Sequence, residues 1–289
     1  MDKIKTTPIT VVDSISKEDF IRDYYKPQKP ILIKNLTKDW KAFENWNLDY
    51  IQQRAGDQIV PLYNNQTTKG KQYSAEPATK MRLYDYIEIL KKDPTDLRIF
   101  FYNILDNMPE LAKDFIYPDL GMKFFKRLPV MFFGSMNSKV LPHYDMDLSD
   151  LFHFHFHGHK NVLLFSPQQT KFMYRIPHSV HNLETIDLDN PDFEKYPGLK
   201  YLNGIEANME HGDALYIPSG FWHYIKYLDG SFSLTIRAFS RKPKVFVSML
   251  YNVFFMRHFD NLMRKWKGQD WLDYKHIKAI KQVENEIKT

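Results

Sequence analysis

The chain contains no cysteine. That excludes disulfides, thiolate zinc sites and a cysteine nucleophile together, so any metal held here has nitrogen and oxygen ligands. No apolar run approaches the roughly 18 residues that a membrane span needs. The opening MDKIKTTPIT also lacks the apolar core of a signal peptide. The expectation is a soluble, cytoplasmic protein with no membrane contact. Excess charge is scarce: a formal net charge of +5, with Arg264, Lys265 and Lys267 among its sources, reads as a solvated face and not as a nucleic-acid surface. No repeat, low-complexity tract or Gly/Pro-rich linker divides the 289 residues, so one catalytic domain with an appendage is expected.

What the chain has in quantity is aromatic residues. Phe, Trp and Tyr make up 16% of it, which suits a wide core or a ring-lined pocket. The first part reads as helical with one strand. Ser14 is the expected cap of a helix from about Lys17 to Tyr25, ILIKNL (31–36) alternates like a strand, and LDYIQQRAG ends a short helix at Gly56. A further helix is expected around Met81 to Leu90. From Leu97 the texture changes to short β-rich runs separated by turn residues: RIFFYNI, LPVMFFG, LFHFHFHG, NVLLFSP, ALYIPSG and SFSLTIRAF. Regular short strands of this kind predict a mainly β sandwich or barrel. After Lys244 helical periodicity returns. Phe246, Met249, Leu250, Val253 and Phe254 share one face, and a second helix is expected from about Trp271 to Ile287. This pair either packs on its own barrel or joins a second copy as a homodimer.

Two stretches of the β-rich region carry metal-ligating residues. In PHYD, His143 and Asp145 are two apart and project from the same side of an extended strand. In GDALYIPSGFWHYI, a Gly-Asp turn feeds a strand, Pro218 to Gly220 bends the chain, and His223 follows. Two imidazoles and one carboxylate on one face of an octahedron leave three positions open, the arrangement by which non-heme Fe(II) oxygenases admit cosubstrate and oxygen. A lone His-X-Asp is a weak signal among 11 histidines. The strand context and a spacing of about eighty residues to His223 strengthen it.

GSMNSKVLPHYD, GHKNVLLFSP, IDLDNPDFEKYP and GDALYIPSGFWHYI together resemble the Jumonji-C/cupin-like oxygenases, and among them look most like the asparaginyl hydroxylases of hypoxia-inducible factor. The likeness spans roughly residues 10 to 245. It implies a double-stranded β-helix (jelly-roll) core over 1–245, with flanking N-terminal helices, and a C-terminal helical extension over 246–289 placed where that branch carries dimerisation helices. It also implies Fe(II), 2-oxoglutarate and O2, with His143, Asp145 and His223 as catalytic metal ligands. In GHK, Lys160 stands where the family's cosubstrate lysine does. Arg237 in SLTIRAF is the rival for the same carboxylate, since other 2-oxoglutarate oxygenases place an arginine there. The family's cosubstrate tyrosine falls near Phe100 or Tyr102. The chain departs from the pattern at Val140, where a threonine is expected, and at Asp150 or Leu151, near the position of an asparagine.

FHFHFHGHK is the oddest stretch of the sequence. In a strand, His153, His155 and His157 share one face, and Phe152, Phe154 and Phe156 the other. If the family register holds, the histidines line the interior with His153 beside the cosubstrate; a slip of one residue reverses this. His178 and His181 read as surface or rim residues. The activity implied is hydroxylation of a C–H bond, on a protein or peptide side chain or on a small molecule. A non-oxidative cupin, or a binding module with a vestigial metal site, are the rival readings.

Overall fold

Alternation along one strand decides the centre of the fold. The computed structural model describes residues 3–65, 77–240 and 242–288, and among these are fourteen strands. They are β1 Lys5–Pro8, β2 Val11–Val12, β3 Ile31–Ile33, β4 Ile59–Leu62, β5 Thr79–Arg82, β6 Ile99–Asn103 and β7 Val130–Gly134. Then come β8 Lys139–His143, β9 Asp150–His157, β10 Lys160–Phe165, β11 Asn203–Met209, β12 Ala214–Ile217, β13 Trp222–Tyr227 and β14 Ser231–Ala238. On β9, Phe152, Phe154 and Phe156 turn outward into a cluster with Phe20, Trp40 and Trp46 of the N-terminal helices. Leu151, on the opposite face, joins an interior cluster with Val162, Leu164, Leu215 and Ile225. Fully burying each phenylalanine is worth about 1.5–3 kcal/mol, which pins the register of β9.

Two sheets face each other across that interior. The larger runs β2-β3-β12-β9-β14-β7-β6 and the smaller β1-β11-β10-β13-β8. Together they form the jelly-roll core of a mainly β protein, with β4 and β5 as a separate ribbon. β9 and β10 are joined through Gly158, whose φ of +73° favours glycine and whose Cβ would lie 2.2 Å from an Asp229 carboxylate oxygen. Gly134 is demanded by packing instead. A side chain there would meet the ring of Tyr227 at 2.7 Å, so its absence lets that ring cross the edge of β7.

The N-terminal helix begins at Lys17, but its cap is Ser16 and not Ser14: Ser16 Oγ accepts from the Asp19 N–H at 3.1 Å. Only Lys17–Phe20 is α-helical, and Ile21–Tyr25 continues as a π-helix. The segments expected around 31–36, 48–56 and 81–90 appear as Ile31–Ile33, Leu48–Ala55 and Leu83–Lys92. β1, β2, β4, β5 and β11 were not anticipated.

The C-terminal pair is two long helical segments. Residues 243–267 run continuously, with a π-helical stretch at Tyr251–Met256, and Gln269–Lys288 returns along them. Met256, Ala279 and Val283 pack on the smaller sheet's outer cluster with Tyr174 and Leu199. Asp260 fixes the hairpin, accepting from Lys275 at 2.6 Å, Trp271 at 2.8 Å and Arg264 at 2.7 Å. The opposite face is not covered: Phe254 is 59% exposed, Phe255 65% and Leu262 63%. Phe246 and Phe254, expected on an apolar face, lie on this exposed side. No described helix is long and apolar enough to cross a membrane.

Candidate metal and cosubstrate site

β8 and β13 are neighbours, and their register sets His143 directly opposite His223. Their ring centroids are 4.1 Å apart. Asp145, just past the end of β8, places Oδ1 3.9 Å from Nε2 of each histidine. His143 Nδ1 lies 2.9 Å from the Leu141 carbonyl and His223 Nδ1 3.3 Å from that of Phe221. A carbonyl only accepts, so each Nδ1 carries the proton and each Nε2 lone pair is turned toward the carboxylate. Burial also lowers the pKa of both rings, most strongly for His223. They are therefore held in the neutral form that binds a metal. The ligand atoms of the three residues all lie within 4.8 Å of one another. Ligands bound at about 2.1 Å in adjacent octahedral positions stand about 3 Å apart, a closure that small side-chain rotations achieve.

Behind the triad lies a polar chamber built on β9, β10 and β14. Lys160, 0% exposed, donates from Nζ to Ser233 Oγ at 2.5 Å and rests 4.5 Å from the centre of the Tyr227 ring. No carboxylate among the described residues forms an ion pair with it, and burial pulls its pKa well below the usual lysine value. Ser233 is also bonded to His155 Nδ1 at 2.9 Å, whose Nε2 reaches the Gly158 carbonyl at 2.8 Å. One rung nearer the mouth, His153 Nδ1 meets Thr235 Oγ1 at 2.7 Å. His153 Nε2 is buried with no hydrogen-bond partner. Burial, then the Lys160 charge, lowers the pKa of His153 and His155 well below 6.5, so both rings are neutral. A buried unpaired nitrogen and a buried unpaired ammonium in one chamber fit an anion with acceptor oxygens.

The other expected residues fall elsewhere. Tyr102 does not reach the chamber: it belongs to the outer cluster, and its hydroxyl donates to Gln58 in the N-terminal layer. A bulge between Ile99 and Tyr102 turns the strand so that Phe100 points inward, toward Phe132. Arg237 is engaged by Asp147 at 2.7 Å, which leaves Lys160 as the unpaired cation of the two. Asp150 faces outward, accepting from Gln28, Tyr216 and the Ser219 N–H. Val140 and Leu151 pack with the interior apolar cluster. His181 sits on the rim with its ring 5.3 Å from that of His143, whereas His178 packs on Phe259 and Trp271 of the C-terminal helices.

Ser233, Thr235 and Tyr227 went unnoticed in the sequence. A signal was there: Ser231, Ser233, Thr235 and Arg237 alternate along SFSLTIRA, and a strand buried throughout has a polar face only when that face lines something polar.

Comparison with known proteins agrees with this geometry. A family model described as a cupin-like domain matches residues 17–261. The chain is similar to lysine-specific demethylase 8 of Danio rerio, 29% identical over 229 residues, which cover 76% of this chain and 55% of that protein. It is also similar to lysine-specific demethylase JMJ30 of Arabidopsis thaliana (28% over 228 residues, 76% of this chain and 52% of that protein). With tRNA wybutosine-synthesizing protein 5 of Gallus gallus it shares 28% identity over 242 residues, 74% of this chain and 71% of that protein. The chain spans about half the length of the demethylases it matches. These relatives support the Jumonji-C family and not the narrower likeness to an asparaginyl hydroxylase.

Proposed function

Because the chain belongs to the cupin-like Jumonji-C family, we propose that it is an Fe(II)- and 2-oxoglutarate-dependent dioxygenase that hydroxylates a C–H bond, on an amino-acid side chain of a protein or peptide. The observation that carries this reading is Lys160, a fully buried ammonium with no ion-pair partner among the described residues, in the chamber behind the His143–Asp145–His223 triad. The triad alone argues for a metal; the triad with Lys160 argues for an oxo-acid cosubstrate.

His143, Asp145 and His223 would hold the metal through two Nε2 atoms and a carboxylate oxygen. When bound, iron and 2-oxoglutarate supply the oxidising chemistry: O2 leaves one oxygen atom in succinate, formed with CO2, and the other in the hydroxylated product. The protein's own part is to orient and to exclude water. Lys160, steadied by Ser233, binds the distal carboxylate as a point charge, and His153 offers its free nitrogen beside it. The apolar Val140 and Leu151 replace polar groups of the family pattern, so hydrogen bonding to the cosubstrate moves to the His153–Thr235 rung, while the His155–Ser233 rung holds Lys160 in place.

A protein substrate accords with relatives named as lysine-specific demethylases, although other relatives are named for tRNA wybutosine synthesis. Pairing of two copies through the apolar face of the C-terminal helices belongs to the same proposal, since Phe254, Phe255 and Leu262 side by side are each more than half exposed. The test is succinate release with Fe(II), 2-oxoglutarate and ascorbate, over a panel of peptides. Wild type should turn over and His223→Ala should not. Absent 2-oxoglutarate binding in wild type, or equal turnover in both proteins, refutes the reading.

A further inference from the structure

Arg98 immediately precedes β6 and bridges Tyr63. Alternation sets it on the same side of the chain as Phe100, opposite Ile99, which packs among the outer helices. Its guanidinium is partly buried, and burial pulls its pKa below the ordinary arginine value. Among the described residues it makes one hydrogen bond, from Nη1 to the amide oxygen of Asn65 at 3.1 Å, and no ion pair with a carboxylate. The same Asn65 oxygen accepts from the Lys139 N–H at 3.0 Å, and Asn65 Nδ2 donates to the Asn137 carbonyl at 2.6 Å. Asn65 therefore ties the guanidinium to the start of β8, the strand that ends at His143. Arg98 lies close enough for its charge to act on both His143 and the Tyr227 phenol, whose ring covers Lys160.

Beside it runs a chain of rings. Tyr63 lies 6.0 Å from Phe100, Phe100 5.9 Å from Phe132, and Phe132 6.3 Å from His153. Phe100 is 44% exposed, so this wall leads from solvent to the chamber. The carboxylates near the triad are already engaged: Asp147 pairs with Arg237, and Asp145 completes the triad. Asp96, whose charge also reaches Arg98, accepts from the Asn65 N–H at 3.3 Å, so a cationic side chain arriving at the guanidinium meets positive charge first. An anion meets an unpaired guanidinium fork that binds two oxygens at once.

We propose that Arg98 determines substrate specificity by binding an anionic group, a carboxylate or a phosphate, on the molecule that reacts at the triad, with the body of that molecule lying against Phe100 and Phe132. The proposal rests on the oxygenase reading above. It deepens that reading by assigning the substrate's charge.

The test uses the full chain loaded with Mn(II) and saturated with 2-oxoglutarate under argon, so that the Lys160 position is filled. Inorganic phosphate is titrated by 31P relaxation and 13C-labelled acetate by 13C relaxation, and the two probes separate the phosphate source from the carboxylate source. Saturable, Mn(II)-dependent enhancement is expected for at least one probe, with affinity falling about ten-fold or more in Arg98→Gln and partly recovering in Arg98→Lys. Affinities for Mn(II) and 2-oxoglutarate should change far less than the probe affinity in both variants. Non-saturable enhancement in wild type, or unchanged probe affinity in Arg98→Gln, overturns the proposal. Where Arg98→Gln does not fold, phenylglyoxal labelling of wild type decides. Protection of Arg98 by the probe, read by peptide mass spectrometry, supports it, and unprotected labelling overturns it. Wild type that binds neither Mn(II) nor 2-oxoglutarate fails the oxygenase reading instead, a distinguishable result.

Discussion

Acid should unfold this protein early, through two histidines that bind no metal. His153 and His155 are buried, and both have pKa values held well below 6.5, by burial first and then by the charge of Lys160. A ring whose folded pKa is depressed contributes stability that is present above pH 6.5 and is lost as pH falls toward the folded value, because the unfolded chain takes the proton first. Between pH 7.5 and 5.5 each ring costs about 1.4 kcal/mol, and the two together about 3 kcal/mol. That is a large share of a typical 5–15 kcal/mol. His143 and His223 shift in the same direction and add to the loss in metal-free protein. Asp150 and Asp213, whose carboxyls burial pushes up, act in the opposite sense. His155→Gln, which cannot titrate, isolates one ring by difference. Urea unfolding followed by tryptophan fluorescence at pH 7.5, 6.5 and 5.5 measures all of this. A wild-type loss below about 1 kcal/mol, or a His155→Gln profile parallel to wild type, refutes the reasoning.

Other outcomes follow from the same structure. Lys160→Met should weaken 2-oxoglutarate binding about 100-fold, measured by calorimetry on Mn(II)-loaded protein, because a desolvated anion loses its counter-charge. The same change should raise the thermal midpoint of the ligand-free protein, since an unpaired buried ammonium is replaced by an apolar chain of similar size. Asp260→Ala should cost about 3 kcal/mol in urea unfolding by stranding Lys275, which is 1% exposed. Phe254→Glu with Leu262→Glu should turn a dimer into monomers in sedimentation velocity; wild type that sediments as a monomer at tens of micromolar contradicts the pairing.

The triad was legible because its information is local. A two-residue spacing fixes the face on which His143 and Asp145 project, and a short strand with a bend delivers His223. Lys160 came from the family pattern, and nothing in its neighbours reveals that it is fully buried. The failures have a common cause in pairing across strands. β11 reads as NGIEANM, poor in β-formers, and is held by β10 on one side and β1 on the other, so tertiary pairing overrides propensity. Tyr102 was misplaced because the bulge after Ile99 inverts which residues face inward, and a bulge leaves little trace in alternation. Arg98 and Asn65 meet only through the antiparallel bridge between Tyr63, just past β4, and Arg98, a pairing across thirty-odd residues that no local pattern announces.

β9 separates two buried compartments, with phenylalanines holding the helical layer on one side and histidines lining the chamber on the other. Most surface strands alternate between positions that accept many residues and positions that accept few. Here neither face is permissive: polar substitution at 152, 154 or 156 detaches the helices, and apolar substitution at 153 or 155 silences the polar lining. Under saturation mutagenesis, residues 150–156 should therefore appear as one unbroken intolerant block, without the every-second-residue relief that marks a strand with one side in water.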